Sequence, residues 1–174
     1  LVKEIDALGG EMAKTTDKTA IQYRTLNTKK GPAVHSSRTQ NDKIRYHIAM
    51  KAVVEAQPNL DLKQAMAEQL MVENNCMMGV RDQTGYEYQA PMVVLATGTF
   101  LRGLIHIGSK SIKAGRAGEF ASYGLATSLR NLGFRLGRLK TGTPPRLKKS
   151  SIDFSKFAVH ESDSQPRPFS FFTD

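Results

Sequence analysis

The chain has 174 residues and a formal net charge of +9, from 25 Lys and Arg against 16 Asp and Glu. Its 40% hydrophobic and 24% charged content fits a globular chain and excludes wholesale disorder, and the longest apolar run, residues 92–96, is too short to span a bilayer. A single cysteine, Cys76, excludes an internal disulfide framework and an all-cysteine metal site.

Leu1, Ile5 and Leu8 recur at helical spacing, and Gly9-Gly10 supplies a left-handed stop, so the opening reads as the back of a helix. Residues 21–26 read as a short strand and residues 27–32 as a loop punctuated by Gly31 and Pro32. Ser36 or Ser37 is placed to cap a helix running through Gln57, with Tyr46, Ala49, Met50, Val53 and Ala56 as its core stripe and Pro58 as its stop. Residues 59–64 alternate and 67–73 form the next strand candidate. Asn74-Asn75 makes a turn, and residues 77–82 and 86–89 form a hairpin around Thr84-Gly85. The run Met-Val-Val-Leu-Ala at 92–96, bounded by Pro91 and Gly98, predicts a buried strand. After Phe100 the chain turns Gly-, Ser- and Lys-rich. Ser122 opens a helix carrying Leu125, Ala126, Leu129 and Leu132, Gly133 closes it, residues 134–139 alternate, and 141–146 form a turn. This order suggests an α/β fold, a parallel sheet with an antiparallel meander as its crossover, and a boundary near Phe100.

The charge is uneven. Residues 1–100 carry 12 basic and 11 acidic groups, and residues 151–174 carry two and four. Residues 101–150 carry eleven basic groups and one acid, Glu119. Interleaved with glycines and few aromatics, that window points to contact with a phosphate backbone rather than to base stacking. The Ala-Thr-Gly that ends the buried strand places small residues where parallel sheets bind ligands, at the carboxyl edge. No two of the 14 glycines have the one-apart spacing that a dinucleotide phosphate loop needs. His106, within an apolar stretch, reads as a hydrogen-bonded core residue. His35, His47 and His160 show no metal-ligand spacing, and Cys76 reads as an incidental thiol. No nucleophile–base constellation is visible, so no catalytic residue is assigned.

The segments LVKEIDALGG, LNTKKGPAV, QPNLDLKQA, VVLATGTFLRGLIHIG, GRAGE and GRLKTGTPPR follow one another in this order, with SIDFS at residues 151–155. In this combination the chain resembles the FAD-binding large subunit of the tRNA uridine 5-carboxymethylaminomethyl modification enzymes, the glucose-inhibited division protein A family. The resemblance implies an internal segment of a longer cytoplasmic flavoenzyme. Residues 1–100 would belong to a glutathione-reductase-like FAD-binding domain lacking its N-terminal phosphate loop, and residues 101–174 would begin an inserted, basic, tRNA-facing α+β domain. It implies FAD as cofactor, NADH as reductant, methylenetetrahydrofolate as carbon donor, tRNA as substrate, a GTPase as partner, a homodimer as assembly, and no membrane. The reaction it implies adds an aminomethyl-type group to C5 of the wobble uridine.

Carried over by position, the FAD contacts would be Ala67, Thr97, Gly98 and Ser122. The tRNA contacts would be Arg102, Lys110, Lys113, Arg116, Arg138, Lys140 and Arg146. One departure is that Glu119, Phe120 and Ala121 precede Ser122, where many members have Asp-Pro-Pro. Without the phosphate loop and the family's cysteines, the isolated segment is expected to be inactive and to bind FAD weakly at best. Two other readings stay open on the residues alone: a tRNA-binding module that works without flavin, and a folate- and FAD-dependent tRNA uridine methyltransferase of the same superfamily.

Overall fold

The computed structural model describes residues 1–145 and 147–173. The chain divides into two compact units, Leu1–Leu62 with Pro145–Asp174, and Lys63–Pro144. The sequence boundary expected near Phe100 therefore falls inside the second unit.

The first unit opens with two short helices, α1 (Val2–Ala7) and α2 (Met12–Thr19), which lead into strand β1 (Ala20–Leu26). Gly9 ends α1 at φ +89, as its position implied. The apolar stripe expected on α1 is not what the fold buries: Leu1 is 93% and Leu8 90% exposed, whereas Asp6 is fully buried. Residues 36–41, read as the start of a helix, instead form strand β2 (Ser36–Asn41), antiparallel to β1. The helix begins later. Asp42 accepts from the backbone N–H of Ile44 and Arg45 at 2.9 Å, which caps α3 (Lys43–Glu55). Tyr46, Ala49, Met50 and Val53 are half-buried on α3, Ala56 is exposed, and no residue of that helix is fully covered.

The second unit is a three-stranded antiparallel meander of β3 (Ala67–Glu73), β4 (Cys76–Asp82) and β5 (Glu87–Gln89), with helix α4 (Gly124–Asn131) packed on β3. Asn74 and Asn75 make the β3–β4 turn in the left-handed region, at φ 48 and 62. Leu70, Leu125 and Leu129 form the core, with Val80, Val93, Leu101 and Leu136 packed around them. A small hairpin that the Gly/Lys-rich composition hid, β6 (Ile105–Ile107) with β7 (Lys110–Ile112), lies between the meander and α4 in sequence.

The structure departs from the sequence expectations in its strands. Residues 92–96 form no strand, and Met92 and Val94 are 82% and 92% exposed. A continuous apolar strand is stable only between paired neighbours, and no partner strand for it lies among the described residues. For the same reason the expected parallel sheet is not formed: every pair of named strands is antiparallel, and the parallel pairing among the described residues is a single bridge, Leu101 to Ser122. Residues 59–64, read as an alternating strand candidate, also lie outside any strand, as do the alternating residues 134–139. No helix among the described residues is long and apolar enough to cross a membrane.

Candidate cofactor edge and basic surface

The four residues assigned to the cofactor are joined by one run of hydrogen bonds in the second unit. Thr97 and Gly98 form a tight turn in which the Phe100 N–H donates to the Thr97 carbonyl at 3.0 Å, with Gly98 at φ +55. The Phe100 carbonyl accepts from the Ser122 N–H at 2.9 Å, and the Ser122 carbonyl accepts from the Arg102 N–H at 2.8 Å. The Ser122 hydroxyl then donates to the Ala67 carbonyl at 3.0 Å, tying the loop to the first residue of β3. Sequence positions 67, 97–98 and 122 thus become one edge, a convergence that no local pattern reveals.

Ser122 does not act as a helix cap. Tyr123 takes the N-cap position of α4 without a side-chain bond, and the N–H of Ser122 is held by the Phe100 carbonyl. Its hydroxyl proton is spent on Ala67, which leaves the oxygen lone pairs to accept. A second serine fixes the same helix: Ser128, buried, accepts from the Leu70 N–H at 3.0 Å. At the start of α4, a Cβ on Gly124 would displace the Glu68 carboxylate and press tightly, at 3.0 Å, on the Glu68 carbonyl oxygen, so the absence of a side chain there eases the close approach of helix and strand.

The loop before Ser122 folds around Phe100. A Cβ on Gly115 would enter the Phe100 ring, and the Arg116 guanidinium lies 5.9 Å from the ring centroid. Arg116 also pairs with Glu119 at 2.6 Å. By contrast, nothing lies within 4 Å of the position a Cβ would take on Gly98. The edge therefore has one open, side-chain-free position at Gly98 and an acceptor oxygen at Ser122. That combination of small residues and a bare backbone fits the close approach of a flat or phosphate-bearing cofactor.

Of the basic residues assigned to RNA, Arg102, Lys110, Lys113, Arg116, Arg138 and Lys140 are all exposed. Arg146 lies outside the described residues. Arg116 is committed to Glu119, Lys113 sits 5.6 Å from the Tyr123 ring centroid, and Arg138 donates to the Arg102 carbonyl at 3.4 Å. Arg102 itself adopts φ +50, a conformation costly for a residue with a Cβ. The basic sequence window does not coincide with one unit. Counted by unit, the second has ten basic and five acidic residues, and the first has fifteen and eleven.

The remaining candidates are simply placed. His106 is exposed rather than buried, with its Nδ1 3.0 Å from the Ser111 hydroxyl. Cys76 is exposed at the start of β4. An open groove of about 580 Å³ on the meander is lined by Met71, Met77, Arg81, Glu87 and Gln89, and none of the four cofactor-edge residues borders it.

Residues 1–174, the whole chain, match the family described as Glucose inhibited division protein A. The chain belongs to that family. It is 65% identical over 174 residues to the tRNA uridine 5-carboxymethylaminomethyl modification enzyme MnmG of Syntrophobacter fumaroxidans and 55% identical to that of Geotalea uraniireducens. All of this chain is covered in both comparisons, yet it spans 27% and 28% of those relatives' lengths. The crystal structure of Aquifex aeolicus GidA superposes with a TM-score of 0.92 at 52% identity, covering 99% of this chain and 29% of that one. A GidA-related protein from Thermus thermophilus, at 24% identity and a TM-score of 0.52, shares the fold alone.

Proposed function

We propose that this chain is a segment of an FAD-dependent enzyme that modifies C5 of the wobble uridine of tRNA. The observation that carries the reading is the match over all 174 residues, at 65% identity, to a relative named a tRNA uridine 5-carboxymethylaminomethyl modification enzyme. Identities of 52–65% to relatives of that one name favour it over the folate-dependent methyltransferase. The hydrogen-bonded edge supports the cofactor part. Ala67, Thr97, Gly98 and Ser122 are the residues that would hold FAD, Gly98 by admitting it to the backbone and Ser122 by accepting a hydrogen bond. The cofactor, when bound, would supply reversible hydride transfer, with NADH as the reductant.

The residues of this segment orient and bind. Ser128 and the Leu70–Leu125–Leu129 core hold α4 against β3 and so fix the position of Ser122. The exposed cations Arg102, Lys110, Lys113, Arg138 and Lys140, together with Arg146, are proposed tRNA contacts, Arg116 less so because Glu119 neutralises it. Residues 1–100 and 101–174 are proposed as parts of the FAD-binding and inserted domains. A GTPase partner, methylenetetrahydrofolate as carbon donor, a homodimer and a cytoplasmic setting complete the reading. The test uses the full-length protein with its GTPase partner, FAD, NADH, GTP, methylenetetrahydrofolate and unmodified tRNA. Mass spectrometry of the digested tRNA should show an aminomethyl-type addition on the wobble uridine, and an unchanged nucleoside would refute the reading.

A further inference from the structure

The hairpin formed by β1 and β2 carries a cationic face that lies outside the basic window. Between Ala20 and Asn41 the sequence holds Arg24, Lys29, Lys30 and Arg38 and no acidic residue. Arg24 and Arg38 are register partners, so two guanidinium side chains leave the same face of the pair directly opposite each other. Like charges in that relation cost stability unless something screens them. Among the described residues no salt bridge includes either arginine.

A third group comes from the far end of the chain. Residues 160–163 run along the free edge of β1: the Asp163 N–H donates to the Tyr23 carbonyl at 2.9 Å, and Gln22 Nε2 donates to the His160 carbonyl at 2.6 Å. This brings His160 Nδ1 to 3.0 Å from Arg24 Nη1. A guanidinium can only donate, so Nδ1 must accept, and the ring proton is left on Nε2 as a further outward donor. The contact also fixes the Arg24 side chain. Of the two acids in that segment, Asp163 is engaged by the Thr25 N–H at 2.7 Å and the Thr25 hydroxyl at 2.9 Å, and Glu161, next to His160, forms no salt bridge with either arginine among the described residues. The face therefore presents two forked cations and an imidazole donor, with neither arginine held in a salt bridge among the described residues.

We propose that Arg24, Arg38 and His160 form a phosphate-binding site and that its ligand is a phosphodiester of an RNA strand. Paired guanidinium groups match the oxygen geometry of phosphate, and Lys29 and Lys30 in the connecting turn extend the positive surface along a strand. The phosphate chemistry rests on the cluster itself; the choice of RNA rests on the function proposed above.

The test follows the His160 ring signal of the whole chain by NMR while a 12-nucleotide single-stranded RNA or inorganic pyrophosphate is added. In parallel, RNA affinity is measured across a salt series by fluorescence anisotropy for the wild type, Arg38→Gln and Lys51→Gln. Arg38 is exposed, and circular dichroism checks the fold of both variants. Lys51 is the control because Glu55 pairs with it at 2.9 Å on α3. The expected result is a shifted His160 signal with RNA, a roughly 3- to 10-fold loss of affinity in Arg38→Gln with the salt slope reduced by about 1, and little change in Lys51→Gln. RNA binding with His160 silent and Arg38→Gln unaffected would overturn the site while leaving the tRNA reading intact, and so would equal losses in both variants. A His160 response to pyrophosphate without RNA binding would support the phosphate site and count against RNA as its ligand. Silence toward both probes would overturn the site.

Discussion

The two units are held together by different chemistry. The second has a small apolar core of Leu70, Leu125 and Leu129, with α4 stapled to β3 by Ser122 and Ser128. The first buries mainly polar groups: Asp6, Thr15, Thr16, Thr19 and Ser170 are covered, with Ala13 as their apolar companion. Its centre is Asp17, whose carboxylate accepts from the N–H of Phe169 and Ser170 and from the hydroxyls of Tyr23 and Thr173, at 2.9–3.0 Å. Asp6 takes the next amide, that of Phe171, at 2.8 Å. Hydrophobic burial tolerates local adjustment, whereas a carboxylate that receives consecutive amides fixes a distant segment residue by residue. The first unit depends on this because 60% or more of Leu1, Leu8, Ile21, Ile44 and Ile48 stays exposed, leaving little apolar area to do the work.

The contrast predicts a graded set of effects. The largest is expected for Leu129→Ala, which removes a residue 6% exposed from a three-leucine core and should cost about 2–5 kcal/mol. Hydrogen exchange should rise across β3 and α4. Asp17→Ala comes next. It leaves the Phe169 and Ser170 amides without their acceptor, at about 1–3 kcal/mol, and exchange should rise at residues 169–173. If residues 169–173 keep their protection in Asp17→Ala, the carboxylate does not hold the segment. Ser128→Ala should cost about 1 kcal/mol or slightly more, because the buried Leu70 N–H loses its partner, and should loosen α4 selectively.

The pH dependence separates the units further. Burial pushes the Tyr23 phenol up, reinforced by its hydrogen bond to Asp17, to about 12 from an ordinary value of 10. The stability this provides is whole below pH 10 and is lost as pH rises from 10 through about 12. Burial acts to raise the Asp17 carboxyl, but the Phe169 and Ser170 amides and the Thr173 and Tyr23 hydroxyls outweigh it and hold the group below its ordinary 3.8. Its contribution is present above that value and disappears as pH falls through the folded pKa. Asp82 in the second unit is also held low, first by the Thr84 hydroxyl, so acid weakens both units. The discriminating measurement is an ultraviolet tyrosine titration of Asp17→Ala. Tyr23 should fall back toward 10, while Tyr88, held up by burial and Asp82, should not move.

Local signals are readable where neighbours in sequence supply the structure. The β3–β4–β5 meander, its Asn74-Asn75 turn and the Leu125/Leu129 face of α4 follow from alternation, turn chemistry and helical spacing. Where distant segments decide, the sequence misleads. Residues 92–96 have a strand's composition but no partner strand among the described residues, and residues 36–41 pair with β1 instead of joining α3. Helix α2 escapes a periodicity reading because its covered residues are threonines and an alanine rather than an apolar stripe. The cofactor residues are assigned by resemblance, and the hydrogen-bonded edge that joins them is a tertiary product. The cationic hairpin is hidden because a fifty-residue charge window cannot show that Arg24, Arg38 and His160 share a face.

Ala67, Thr97, Gly98 and Ser122 are proposed as a flavin-facing edge. The most direct test is the FAD dissociation constant of the full-length protein, followed by flavin absorbance, for the wild type and Ser122→Ala, with Met71→Ala in the meander groove as the control. Stoichiometric FAD is expected in the wild type, clearly weaker binding in Ser122→Ala, and no change in the control. Equal FAD affinity in all three folded proteins would contradict the flavin-facing edge.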